Sequence, residues 1–161
     1  MLPPRVEVIR SKKRRKTISA HQVTDDLIRV SIPASFTKAE EQEWVDEMLR
    51  RLEKRALADK VDISQRAAEL AEQHGFPHPQ SVRWVDNQSS RWGSCTPADG
   101  SIRLSSRMAG YPRWVIDAVL VHELAHLIEE HHNLRFDALC ARYPLTERAT
   151  GYLIAKGFEG D

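Results

Sequence analysis

The chain has 161 residues, with 24 Lys and Arg against 23 Asp and Glu, a net charge of +1 and only two cysteines. Roughly two-thirds of the surface of an unfolded chain this long is buried on folding, so no disulfide framework is needed. Cys95 and Cys140 form no CxxC pair, which argues against a cysteine zinc finger. The near-neutral balance argues against a polyelectrolyte binder. The opening "MLPPRVEVIR" lacks a signal-peptide core, and no apolar stretch is long enough to span a bilayer. The expectation is a cytoplasmic protein with no membrane contact.

The first third reads as strands. "RVEVIR" alternates, and "RKTISAHQV" and "LIRVSIP" follow, with a hairpin turn expected at Asp25-Asp26 and a stop at Pro33. Between the first two lies "RSKKRRK" (Arg10 to Lys16), six cations in seven residues. Such a run makes either a solvated basic loop or a weak nucleic-acid contact.

A long helix is expected from "TKAEEQEWVDEMLRRLEKRAL". Thr37 and Glu40 form a capping box. Trp44, Val45, Met48, Leu49 and Leu52 recur at helical spacing and mark its buried face. A second helix, "SQRAAELAEQHG", takes Ser64 as its N-cap and Gly75 as its stop. "SVRWVDNQSSRWGSCTPADGSIRLS" reads as three short strands, with a turn at "PADG" between the last two.

Pro112 opens a further helix, "RWVIDAVLVHELAHLIEEH", apolar on nearly every side and hence central. "LRFDALCARY" and "TERATGYLIAKG" are the closing helices. The order of strands, helices, strands and helices predicts an α+β domain. It is expected to be one domain over 1–161, with strands in 1–35, helices in 37–75, strands in 81–105 and helices in 112–157.

The central helix carries His-Glu-x-x-His. His122 and His126 differ by only about 40° around the helix axis, and Glu123 lies about 100° from His122. Two imidazoles therefore reach one point, and a carboxylate stands beside them without joining them. That arrangement suits zinc hydrolysis, with Glu123 as the base. Burying two histidines and a glutamate in an apolar helix costs several kcal/mol unless something offsets it.

A catalytic metal needs a third ligand, and the doublet His131-His132 offers two. On a continued helix His131 would lie about 180° from His122 and His132 about 80° from it. His132 stands ten residues after His122, the third-ligand spacing of HExxHxxGxxH, although Glu129 replaces the glycine. The expected zinc ligands are therefore His122, His126 and His132, with the helix ending after Glu130. Tyr143, Tyr152 and His131 are candidates for a second donor to the oxyanion.

These residues carry a resemblance. "RWGSC", the "IRLS" strand, "LVHELAH" and the closing His132 and Phe136 resemble the YgjP-like metallopeptidase domain, a relative of the WLM and SprT-like zinc hydrolases. The opening strands are also similar to those of that family. The resemblance implies a small zincin-like α+β fold, a buried HExxH helix and a β-hairpin beside the zinc cleft. It also implies His122, His126 and His132 as zinc ligands and Glu123 as the base; the family's substrate does not carry over, and a polypeptide of unknown identity is the expectation of the hydrolase reading itself. Where the family often has Asn-His-Ser, this chain has His-His-Asn, which leaves a place for His131 to compete. The rival expectation is a zinc-containing, nucleic-acid-associated binding module without hydrolytic activity, recruited through Arg10 to Lys16. "SSRWGSC" is further expected to lie beside the cleft as an edge strand for extended substrate.

Overall fold

The computed structural model describes residues 4–157; the ends of the expected domain, 1–3 and 158–161, lie outside the described residues. Contacts gather the chain into two compact units, residues 1–56 and residues 57–161.

In the first unit, β1 (Arg5–Ser11), β2 (Ser19–Thr24) and β3 (Leu27–Pro33) form a sheet in the order β1-β3-β2. The Asp25-Asp26 turn joins β2 to β3 as an antiparallel hairpin, and β1 pairs with β3 in parallel, with Val8 opposite Val30. Alternation works here: Ile28, Val30 and Ile32 point to one face and are buried. They meet α1 (Lys38–Asp59) through Val45, Met48, Leu49 and Leu52. Trp44 is only half-buried and stands outside this core. The capping box forms in both directions: Glu40 N–H donates to Thr37 Oγ1 at 3.2 Å and Thr37 N–H donates to Glu40 Oε2 at 2.7 Å.

The second unit contains α2 (Ile63–His74), β4 (Ser81–Val85), β5 (Gly93–Thr96), β6 (Ser101–Ser105), α3 (Arg113–Ala125), α4 (Leu134–Cys140) and α5 (Thr146–Ala155). The sheet order is β4-β6-β5: β4 and β6 are parallel, and β5 pairs only with β6, antiparallel. The β5–β6 hairpin turns at "PADG", where Gly100 takes φ +69°, a conformation that glycine adopts without strain.

Two of the helix boundaries that differ from expectation have a clear physical reason. The N-cap of α2 is Asp62, whose carboxylate accepts from Gln65 N–H at 3.0 Å, and not Ser64. Aspartate caps as well as serine does, and it also carries a charge that the helix dipole favours. α3 ends at Ala125, with His126 as its C-cap, five residues before the expected break. Leu127 N–H and Ile128 N–H donate back to Leu124 O and Ala125 O, tightening the chain into short i→i−3 turns. No non-glycine residue has positive φ among those described, so this turn needs no glycine, and Glu129 can occupy that place.

α3 is the centre of the second unit. Every residue from Val115 to Val121 is buried, as are Leu124 and Ala125. Ile116, the four residues Ala118 to Val121, Leu124 and Ala125 pack with Leu70, Ile102, Leu104, Met108 and Phe136 in one core. Asp117, 4% exposed, is the polar exception between Val115 and Val121. Its carboxylate accepts two hydrogen bonds from Arg66, both at 2.8 Å, and this ties α3 to α2.

Candidate metal centre

The end of α3 and the turn after it bring three imidazoles together. His122 sits in the last turn of α3, His126 caps it, and His132 lies in the segment before α4. One ligand atom from each can be chosen so that all lie within 4.8 Å of one another. His126 Nε2 and His132 Nε2 are 3.0 Å apart. Asn133 places His132: its side chain accepts from Phe136 N–H at 3.0 Å and so starts α4 directly after the histidine. The Phe136 ring, 3% exposed, lies against all three imidazoles, with centroids 4.8, 4.5 and 4.7 Å away.

The donor chemistry fits a metal ion. A carbonyl only accepts, so the 3.1 Å contact between His126 Nδ1 and Glu129 O puts the proton on Nδ1 and leaves the Nε2 lone pair for a ligand. His122 Nε2 is buried with no hydrogen-bond partner among the described residues. Burial, with smaller contributions from the His126 and His132 charges, pushes His122 down to about 4, so this ring is neutral at neutral pH. A neutral, orphaned nitrogen costs about 1–3 kcal/mol if nothing binds it. Tetrahedral zinc with Zn–N of about 2.1 Å needs nitrogens about 3.4 Å apart, close to the 3.0 Å separation of His126 and His132. Among the described residues no fourth His, Cys, Asp or Glu joins the cluster.

Glu123 is 3% exposed. It lies against β5 at Gly93: a Cβ at that position would stand 2.9 Å from Glu123 Oε1 and 3.1 Å from its Cγ. The strand of the "RWGSC" segment is shorter than expected, Gly93–Thr96, but it is an edge strand beside the HExxH helix. Trp92 is buried, and its carbonyl accepts from Ser105 N–H at 2.8 Å. Cys95 is pushed up to about 11, mainly by burial and then by the Glu123 charge, so it is no ready nucleophile.

The expected oxyanion donors are not all brought to the cluster. Tyr143 Oη donates to Trp114 O at 3.3 Å, and the Tyr152 ring packs edge-on to Tyr111 and Trp114. His131 is exposed, and its backbone N–H donates to Glu129 Oε1 at 3.3 Å. A wall of α5, including Thr146, Ala149, Thr150 and Leu153, also reaches His122, Glu123 and His132 through a shared cavity. The i, i+3, i+4, i+7 spacing of those four residues was the available signal.

Fold and cluster together define a metallopeptidase-like α+β unit with a three-histidine candidate metal site. The chain belongs to the YgjP-like family: the model of its metallopeptidase domain matches residues 5–153. Two solved structures share the fold. The metallopeptidase zymogen of Pyrococcus abyssi abylysin is 21% identical, with a TM-score of 0.51, covering 60% of this chain and 95% of that one. The metallopeptidase zymogen of Methanocaldococcus jannaschii jannalysin is 15% identical, with a TM-score of 0.52, covering 60% and 97%. No curated protein matches the chain.

Proposed function

We propose that this chain is a zinc-dependent peptidase in which His122, His126 and His132 hold the ion and Glu123 is the general base. The observation that carries this reading is the convergence of three imidazoles beside a buried carboxylate, with no fourth protein ligand among the described residues. Zinc bound there would supply an acidified water and a Lewis acid for the scissile carbonyl. Glu123 takes the proton of the attacking water and passes it to the leaving amine. Gly93 leaves the room that this carboxylate occupies. The unpaired edge of β5 offers main-chain hydrogen bonds to an extended polypeptide, which favours binding with little dependence on sequence.

The test combines elemental analysis with degradation of an unstructured protein. Wild type and Glu123→Gln should each hold one zinc, and the variant should lose roughly 10²–10⁴-fold in rate because glutamine cannot accept the proton. Equal rates in the two proteins would exclude this mechanism. His132→Ala should lose most of the metal and His131→Ala should keep it. The reverse pattern would move the third ligand to His131.

A further inference from the structure

A cavity of about 370 Å³ adjoins the histidine cluster, with His122, Glu123 and His132 forming part of its wall. Holding two imidazoles, a carboxylate and a water needs no such space, and interiors are otherwise closely packed. Most of the remaining wall is apolar. Ala118 and Val119 come from α3, Phe136 and Cys140 from α4, and Ala149 and Leu153 from α5. The volume lies in the ~300–1,000 Å³ range of ligand pockets.

Apart from Trp92 and the histidine cluster itself, the polar groups of the wall are already committed or carry the wrong sign for an acid. Thr146 Oγ1 donates to Cys140 O at 2.7 Å or Tyr143 O at 2.9 Å, and Thr150 Oγ1 donates to Thr146 O at 3.0 Å. Neither hydroxyl has a proton left for a ligand. Asp137 is exposed and lines the same cavity as Glu123, so an acidic guest would meet two carboxylates. Ile154 also lines it and is 62% exposed, a large apolar side chain left in water beside an apolar hollow.

We propose that this cavity is a side-chain subsite: it takes a large apolar residue (Leu, Phe or Met) of a polypeptide, adjacent to the bond held at the histidine cluster, and rejects Asp and Glu. The inference rests on the peptidase reading above, and its test separates the two.

Blocked hexapeptides differing at one residue (Leu, Phe, Ala, Asp or Lys) are titrated by calorimetry into zinc-loaded Glu123→Gln, and the same peptides are offered to wild type for cleavage. The Leu and Phe peptides should bind at least about tenfold more tightly than the Ala peptide, with Asp the weakest. Wild type should cleave beside the variable residue in the same order. Thr150→Trp, at an exposed position of α5, should fill the cavity and bring the Leu-to-Ala ratio towards one. Leu153→Ala should enlarge it and shift the preference from Leu to Phe. Equal binding of the Leu and Ala peptides, a preference for Lys, no binding of any peptide, or a ratio untouched by Thr150→Trp overturns the subsite. If the ratio and its response to Thr150→Trp persist while wild type cleaves nothing, the subsite stands and the peptidase reading fails.

Discussion

Gly93 is where a single methyl group matters most. An alanine Cβ would fall 2.9 Å from Glu123 Oε1 and 3.1 Å from Leu104 Cδ2, so the carboxylate or the core must yield. Glu123 is the easier to displace, because its end swings on rotatable bonds while Leu104 is fully buried. Gly93→Ala should therefore keep its zinc and lower hydrolysis by about 10²-fold, the usual cost of misplacing a reacting group by about 1 Å. Elemental analysis beside the rate assay checks this, and loss of zinc together with activity would show that the whole cluster had shifted. Gly93 makes its close approach to a partner within the fold. The partner is a side chain 30 positions away in sequence, which strand alternation alone does not reveal.

Among the elements, the apolar join of α2 to α3 also carries one charged pair. The Asp117 side chain is 6% exposed and that of Arg66 20%, with two parallel hydrogen bonds between them. Asp117 in turn helps hold the Arg66 proton above the ordinary guanidinium range. Asp117→Ala leaves the Arg66 guanidinium with its 2.9 Å pair to the exposed Glu69 carboxylate and should destabilise the chain by roughly 3 kcal/mol, lowering Tm by about 10 °C. Adding Arg66→Met should restore most of the loss, and a double variant as unstable as the single one would show that the carboxylate acts some other way. This pair was invisible in the sequence because its members are 51 residues apart. Local chemistry was far more legible: the Thr37–Glu40 box, the Gly75 stop and the "PADG" turn all depend on neighbours within four residues. The early end of α3 was not, because it depends on His126 reaching the Glu129 carbonyl, a bond that exists only once the turn has formed.

On the scale of the whole molecule, charge is nearly balanced and its one dense cluster lies in the first unit. Arg10 already serves that unit, with an ion pair to Glu41 at 2.9 Å and hydrogen bonds to the Ala34 and Phe36 carbonyls. Lys12, Lys13, Arg15 and Lys16 are exposed. Four cations neutralise at most about four phosphates, so any binding to double-stranded DNA should fall by about 10²-fold between 50 and 200 mM salt. Fluorescence titration at the two salt concentrations checks this. Tight binding that survives physiological salt and disappears when Lys12 to Lys16 are neutralised would favour the binding-module alternative. The hydrophobic pattern foretold the α+β class because both cores draw on plain alternation and helical stripes. It could not foretell the parallel pairing of β1 with β3, since a period of two is the same for either direction.

The three histidines come from eleven consecutive residues, 122 to 132. Closing so short a loop costs little chain entropy, so the unfolded polypeptide would keep much of its grip on zinc. Stabilisation by a bound ion reflects the ratio of native to denatured affinities, and chelation by the denatured chain erodes it. Saturating zinc should therefore raise Tm by less than the native dissociation constant alone implies, and zinc titrated into the heat-unfolded chain should still be captured. Binding confined to the folded protein would mean that the turn at His126 and the Asn133 cap, and not proximity along the chain, create the affinity. Capture by the heat-unfolded chain would instead mean that metal uptake begins before α4 has formed its Asn133 cap.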